Sequence, residues 1–102
     1  MSRREKLKEL LESTPDDVFL HYALAMECLS AGDIAEWVQK LEQTLQLDPT
    51  YVAAYFQLGQ AWAGDEQTSR AREILAQGIE VAQRKNDAHA AAEMSAFLST
   101  LS

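Results

Sequence analysis

The sequence has one cysteine, two prolines and four glycines in 102 residues, and each shortage excludes a class of structure. The single cysteine, Cys28, can form neither an intramolecular disulfide nor a thiolate-based metal cage. The many turns of an all-β protein would need more glycine and proline. The longest stretch without a charged residue, 49–64, is too short to span a bilayer. We therefore expect a helical protein without membrane insertion. Because the N-terminal residues also lack the apolar core of a signal peptide, we expect it in the cytoplasm.

Basic residues are scarce beyond the N-terminus. The net charge of the chain is −7, and four of its nine basic residues lie among the first eight positions. From Glu9 onward there are 15 acidic and 5 basic residues, which is a net charge of −10 for that stretch. Such a body repels phosphate, so nucleic acid is not an expected partner. A polypeptide with a neutral or basic binding segment fits the charge better.

Five breaks divide the chain into six segments of helical length. They lie at 13–16, 31–33, 48–50, 64–66 and 85–87, and each combines a helix-stopping residue with a capping residue. Gly32 can close one helix in the left-handed conformation, and Asp33 can cap the next. The acidic residues at 16–17, 65–66 and 87 are expected at helix starts, where carboxylates complement the helix dipole. No segment alternates like a strand, so the pattern predicts an all-α protein of about six helices.

Comparison of the sequence with itself reveals a repeat. The shift that places Pro15 on Pro49 also places Leu24-Ala25 on Leu58-Gly59. Further positions in register are Val18 and Val52; Leu7, Leu41 and Leu75; Leu11, Leu45 and Ile79; and His21, Tyr55 and His89. One hairpin of two such helices cannot bury its own apolar side, so copies of the repeat must stack.

The repeat resembles the tetratricopeptide repeat family. The residues that carry the resemblance are His21, Leu24-Ala25, Gly32-Asp33, Leu41, Leu45 and Leu47-Asp48-Pro49 in one copy, and Tyr55, Leu58-Gly59, Trp62, Ala71, Leu75 and Ile79 in the next. The resemblance implies antiparallel helical hairpins stacked as a short right-handed α-solenoid. It implies one domain, 1–102, with an N-terminal half-repeat helix at 3–14, repeats at 18–51 and 52–85, and a C-terminal capping helix at 87–101. Trp37 departs from the pattern, because the family usually has a small residue there; we expect it to widen the crossing opposite Ala25 or to turn outward.

The resemblance also implies a partner-binding groove, which the first helix of each repeat lines in this family. The residues that map to the groove are Phe19, Tyr22, Met26 and Leu29 in the first copy, Phe56, Gln57 and Gln60 in the second, and Met94 in the capping helix, with Ala63, Ala90 and Phe97 beside them. Large rings, thioethers and amides at helical spacing suit an extended peptide or an amphipathic helix. The alternative is that the last helix folds over and these residues are core.

One binding mode of the family is not expected. Some members grip a C-terminal carboxylate with a clamp of Lys, Asn and Arg residues. The corresponding positions here hold Tyr22, Met26, Gln57, Asp87 and Ala91. No cation is among them, and Asp87 would repel a carboxylate.

No group of residues in the sequence indicates catalysis. His21 and His89 have no companions at metal-ligand spacing, and both are interpreted as half-buried packing residues. Cys28 is interpreted as a small core residue without a nearby cation or histidine to activate it. The four glycines are scattered and form no phosphate-binding loop. We therefore predict no catalytic residue, no cofactor and no metal, and not an enzyme.

Two functional hypotheses remain. The first is a protein-interaction module, an adaptor or a small chaperone-like scaffold that binds a partner's peptide or helix in the groove. The second is a structural self-association unit, for example a homodimer, in which the groove or the apolar C-terminal side pairs with a second copy.

Overall fold

Six helices account for most of the chain in the computed structural model, which describes residues 1–101. The helices are α1 (Arg3–Ser13), α2 (Val18–Ser30), α3 (Ile34–Leu47), α4 (Val52–Gly64), α5 (Thr68–Arg84) and α6 (Ala88–Ser99). Within residues 1–101 there is no strand. The predicted all-α class and the number of helices are confirmed.

The helices form two compact units, Met1–Pro49 and Thr50–Ser102. In the first unit α2 packs against α1 and α3; in the second α5 packs against α4 and α6, and α4 also contacts α6. The boundary falls after Pro49, two residues before the end of the first predicted repeat. The prediction of a single domain over 1–102 stays a prediction.

Three of the interhelical loops have the same geometry. Gly32, Glu66 and Asn86 have positive φ values of 78°, 59° and 59°. The next residue in each loop donates its backbone N–H to a carbonyl five residues earlier, at 2.8–2.9 Å, as in the Schellman motif. Asp33 and Asp87 then cap the following helices through their side chains, as predicted, and Asp17 caps α2 in the same way. The prediction for residues 65–66 was wrong, because Asp65 ends α4 and the N-cap of α5 is Gln67.

Glu66→Gly is expected to stabilise the protein by about 0.5–1 kcal/mol, because a non-glycine residue in the left-handed region carries a steric cost. The measurement is the free energy of unfolding in urea. Asp65→Gly is the matched control: Asp65 has an ordinary φ of −94°, so glycine there only adds freedom to the unfolded chain and should destabilise. Equal effects of the two substitutions would contradict the expectation.

The core of each unit contains one fully buried leucine or methionine from the first helix of a repeat, and one fully buried leucine from the second helix of a repeat. Leu24 and Leu41 are 1% and 0% exposed in the first unit, and Leu75 and Met94 are 0% exposed in the second. Glycines let α5 approach its neighbours closely. A Cβ built on Gly59 would lie 2.5 Å from Leu75 Cδ2, and one on Gly78 would lie 2.5 Å from Tyr55 Cβ. These contacts fix which sides of α4 and α6 remain for other molecules.

Candidate partner-binding surface

One side of α2 carries apolar residues that remain partly or largely exposed. Phe19 is 64% exposed, and Tyr22, Met26 and Leu29 are half-buried. Their spacing of three, four and three residues places them along one side of the helix. The opposite side, which includes His21, Leu24, Ala25 and Cys28, is buried. We call Phe19, Tyr22, Met26 and Leu29 the α2 face; the predicted groove residues of the first copy all lie on it.

The second unit presents a more polar counterpart on α4. Phe56, Gln57 and Gln60 are half-buried, and we call them the α4 face. The Phe56 ring packs edge-to-face against Phe97 of α6, with centroids 5.9 Å apart and planes at 63°. The predicted groove residues therefore form two faces, one on a helix of each unit.

Met94 was wrongly predicted to line the groove. It is 0% exposed, and its Sδ would lie 2.7 Å from a Cβ on Gly78. The reason is a change of register: the step from the start of α4 to the start of α6 is two positions longer than the step from the start of α2 to the start of α4. Met94 is thus equivalent to the core residues Leu24 and Leu58. For this residue the alternative interpretation, core, is correct.

The two-residue shift brings a different set of residues to the exposed side of α6. In register with Phe56, Gln57 and Gln60 are Ala92, Glu93 and Ala96, which are all exposed. His89 Nε2 lies 3.0 Å from Glu93 Oε1, and the His89 side chain is 86% exposed. The interpretation of His89 as a half-buried packing residue was wrong for the same reason. α5 extends beyond Val81 to Arg84, and no proline follows it as Pro49 follows α3. The missing proline is the feature of the sequence that indicates the longer helix and therefore the shifted register of α6.

His21 and Trp37 both lie in the core of the first unit. His21 is 4% exposed and Trp37 is 6% exposed, so the expectation that Trp37 could turn outward is wrong. His21 Nε2 lies 2.7 Å from the Pro15 carbonyl oxygen, and this contact ties the start of α2 to the preceding turn. Within residues 1–101, His21 Nδ1 and Trp37 Nε1 have no hydrogen-bond partner.

A charged cluster around Glu36 holds α1 against the other helices of the first unit. Arg4 forms ion pairs with Asp33, at 2.8 Å, and with Glu36. Lys8 lies 3.6 Å from Glu36, and Arg3 lies 3.1 Å from Glu27. The Cys28 thiol donates a hydrogen bond to Glu36 Oε2 at 2.9 Å. Three of the four basic residues near the N-terminus, Arg3, Arg4 and Lys8, thus pair with carboxylates of α2, α3 and the loop between them, which the sequence alone did not reveal.

The electrostatics of this cluster make Cys28 unreactive. Burial, reinforced by the neighbouring Glu36 carboxylate, raises the pKa of Cys28 to about 11. Arg4 does belong to the surroundings of Cys28, contrary to the expectation that no cation lies near, but its effect on the pKa is smaller than that of burial. The thiol is therefore protonated near neutral pH, and a nucleophile would need the thiolate. Among residues 1–101, no group of three or more His, Cys, Asp or Glu side chains could hold a metal ion.

Glu36→Gln is expected to weaken the acid dependence of stability. Hydrogen bonds from Cys28 and from Arg4 lower the pKa of Glu36 from 4.5 to about 2. A lowered pKa stabilises the folded state above the unfolded-state pKa, so this contribution is lost as the pH falls from about 4.5 towards 2. The urea midpoints of the natural chain and the variant should differ above about pH 4.5 and should converge as the pH falls towards 2. Glu42→Gln, at an exposed carboxylate of the same helix, is the control and should show no such convergence; a constant gap for Glu36→Gln would contradict the assignment.

No helix within residues 1–101 combines the length and the apolar character needed to cross a membrane.

Known proteins share both the sequence pattern and the arrangement of the helices. The tetratricopeptide repeat family model matches residues 28–94. A TPR repeat-containing protein of Pseudomonas aeruginosa is 31% identical over 97 residues, which cover 95% of this chain and 92% of that protein. The solution structure of a tetratricopeptide repeat domain protein from Salinibacter ruber is 31% identical, with a TM-score of 0.80 over 85% of this chain and 88% of that one.

The TPR2B domain of yeast Sti1, in its complex with pHsp70, matches with a TM-score of 0.86 over 94% of this chain and 77% of that one. At 18% identity this match shows the fold alone. The family model covers more than half of the chain, and the Pseudomonas relative spans nearly all of it. The protein therefore belongs to the tetratricopeptide repeat family.

Proposed function

We propose that this protein is a cytoplasmic adaptor or small chaperone-like scaffold that binds a peptide or an amphipathic helix of a partner polypeptide through the α2 face and the α4 face. Proteins of this family generally mediate protein–protein interaction. The proposed role is binding rather than catalysis. Met94 is left out of the proposed surface because it is buried.

The exposure of Phe19 is the observation that carries the proposal. A phenylalanine ring that is 64% exposed leaves a large apolar area in water at the start of α2, and Tyr22, Met26 and Leu29 extend that area along the helix. Contiguous apolar patches of this kind mark interaction sites more often than isolated exposed residues do. Aromatic and methionine side chains are also enriched in the cores of interfaces. The α2 face is therefore the proposed anchor for the partner.

The chemistry of the partner follows from the charge and polarity around the two faces. The first unit has ten acidic and five basic side chains, and Asp16 and Asp17 stand at the start of α2 beside Phe19. A partner segment with apolar residues and neutral or basic neighbours complements this surface. On the α4 face, the side-chain amides of Gln57 and Gln60 can donate hydrogen bonds to a peptide backbone and accept hydrogen bonds from it.

Affinity capture from the native cell extract with three baits tests the proposal. The baits are the natural chain, the double variant Phe19→Ala/Met26→Ala, and Ile34→Ala. Ile34 is the matched control because it is an apolar residue that is 48% exposed on α3, outside both faces. We expect the natural chain and Ile34→Ala to recover the same protein, and the double variant to recover at least about tenfold less, as for interface anchor residues.

Equal recovery of every protein by all three baits would overturn the assignment of the α2 face. Peptides that tile the recovered protein then test the predicted chemistry by fluorescence anisotropy. The binding peptide should be neutral or basic and should contain apolar residues. Its affinity should fall for Phe19→Ala/Met26→Ala and remain unchanged for Ile34→Ala. An acidic binding peptide would contradict the charge argument.

A further inference from the structure

The chain has one cysteine and three methionines, and the structure places their sulfur atoms in different surroundings. Cys28 and Met94 are both 0% exposed. Met1 is 76% exposed and precedes α1, outside both faces. Met26 is half-buried and lies within the α2 face. Met26 is therefore the sulfur-containing residue that is both reached by solvent and part of the proposed binding surface.

The two buried sulfur atoms are protected from oxidants. Peroxides oxidise cysteine through its thiolate, but the Cys28 thiol is protonated near neutral pH and donates a hydrogen bond to Glu36 Oε2. Met94 Sδ lies in the core, where a Cβ on Gly78 would be 2.7 Å away. An oxidant reaches either atom only after the helices around it have separated.

We propose that Met26 is an oxidation site that controls the α2 face: a peroxide converts its thioether to the sulfoxide, and the partner is then released. The effect on binding rests on the proposed function, because Met26 belongs to the α2 face. With hydrogen peroxide, the sulfur loses two electrons and gains one oxygen atom, the O–O bond breaks, and water leaves. A methionine sulfoxide reductase reverses the step; a dithiol supplies the two electrons, becomes a disulfide, and the oxygen leaves as water.

The sulfoxide makes the α2 face polar at a central position. A thioether packs against apolar and aromatic groups without needing a hydrogen bond, whereas the oxygen of the sulfoxide is a polar acceptor that water solvates. A partner that covers the α2 face removes this water. Phe19 and Leu29 have no side-chain donor to replace it, and a buried acceptor without a donor opposes binding.

The fold tolerates a polar side chain at this position. Gln60 of α4 is equivalent to Met26 in the repeat and is also half-buried. A polar group on a side chain of similar length is therefore compatible with a folded hairpin. Oxidation of Met26 changes the surface and leaves the helices in place, whereas an oxygen on Met94 would enter the core. The comparison also supplies a mimic of the oxidised state, Met26→Gln.

Peptide mapping by mass spectrometry after treatment with hydrogen peroxide tests the site itself. We expect the sulfoxide at Met1 and Met26 and no modification of Met94 or Cys28, under conditions that leave the circular dichroism spectrum unchanged. In concentrated urea the three methionines should oxidise at similar rates, because the protection of Met94 comes from the fold. Met26 that stays reduced while Met1 is oxidised, or Met94 that reacts as fast as Met26 in the folded protein, would overturn the proposal.

Affinity capture from the native cell extract tests the effect on binding. The baits are the reduced natural chain, the oxidised natural chain, oxidised Met26→Leu and reduced Met26→Gln, each freed of peroxide before use. Met26→Leu is the matched control, because it keeps an apolar side chain of similar volume and its Met1 is still oxidised. We expect the reduced natural chain and oxidised Met26→Leu to recover the same protein. The other two baits should recover at least about tenfold less, as expected for an unpaired polar group in an interface.

Treatment of the oxidised natural chain with methionine sulfoxide reductase and a dithiol should restore capture. Equal recovery by the reduced and the oxidised natural chain would overturn the proposal for Met26 and leave the binding role of the α2 face intact. An equal loss for oxidised Met26→Leu would also overturn it, since the effect would then arise at another residue. If the reduced natural chain recovered no protein that Phe19→Ala/Met26→Ala loses, the proposed function itself would fail, and control of binding through Met26 with it.

Discussion

Leu24→Ala is expected to lower the free energy of unfolding by about 2–5 kcal/mol, the range for deleting a fully buried leucine side chain. Leu24 is 1% exposed and lies in α2, which packs against both α1 and α3. Truncation would leave a cavity in the core of the first unit, and the closely packed side chains around it relax into such a cavity only in part. The measurement is urea unfolding followed by far-ultraviolet circular dichroism.

Phe19→Ala is the matched control on the same helix. Phe19 is larger than Leu24, but it is 64% exposed, so its removal should change stability by no more than about 0.5 kcal/mol. The contrast distinguishes a core residue from a binding residue: Leu24 stabilises the fold, and Phe19 is exposed for contact with a partner. If Phe19→Ala proved as destabilising as Leu24→Ala, the α2 face would be core and the proposed binding surface would be wrong.

Gly78→Ala is expected to destabilise the protein by about 1–3 kcal/mol, as overpacking of a well-packed core does. The added methyl group would lie 2.5 Å from Tyr55 Cβ and 2.7 Å from Met94 Sδ. Met94 can move its flexible thioether, but Tyr55 Cβ is fixed to the backbone of α4. The helices must therefore separate, and this cost exceeds the roughly 0.5–1 kcal/mol that alanine gains over glycine inside a helix.

Gly64→Ala provides the control, since Gly64 ends α4 and a Cβ there meets nothing within 4 Å. It should leave stability unchanged or raise it slightly. The comparison is made by thermal and urea unfolding of both variants. A stabilising Gly78→Ala would show that α4 and α6 lie farther from α5 than the structure has them. Because α4 and α6 also hold Phe56 against Phe97, a displaced α5 would disturb the α4 face as well.

The helices themselves were predictable because their ends depend on local chemistry. Gly32 adopts the left-handed conformation that few other residues tolerate, and Asp33 offers its carboxylate to the first turn of α3. The residues of the α2 face were also predictable, since the repeat that relates α2 to α4 is unbroken and helical spacing sorts α2 into sides. The same logic failed at Glu66, where a residue poorly suited to positive φ takes the place of glycine.

The register of α6 was not predictable from a constant repeat. α5 continues to Arg84, three residues past the point equivalent to the end of α3, and the loop after it is one residue shorter. Two extra residues rotate a helix by about 200°, so the assignments of Met94 and His89 were wrong. Met94 lies in the core and His89 on the surface, because packing against α5, rather than counting along the sequence, sets the rotation of the last helix.

Sequence patterns were enough to predict the class, the six helices, the family resemblance and the apolar side of α2, because caps, periodicity and repeat spacing are properties of short stretches of chain. The packing of the helices was needed to establish that Trp37 is buried and that Arg4 reaches Glu36 beside Cys28. Each of these facts depends on which helix lies opposite a residue. Contacts between residues far apart in the chain, such as Arg4 and Glu36, arise from the closing of whole helices on one another, and no local pattern encodes them.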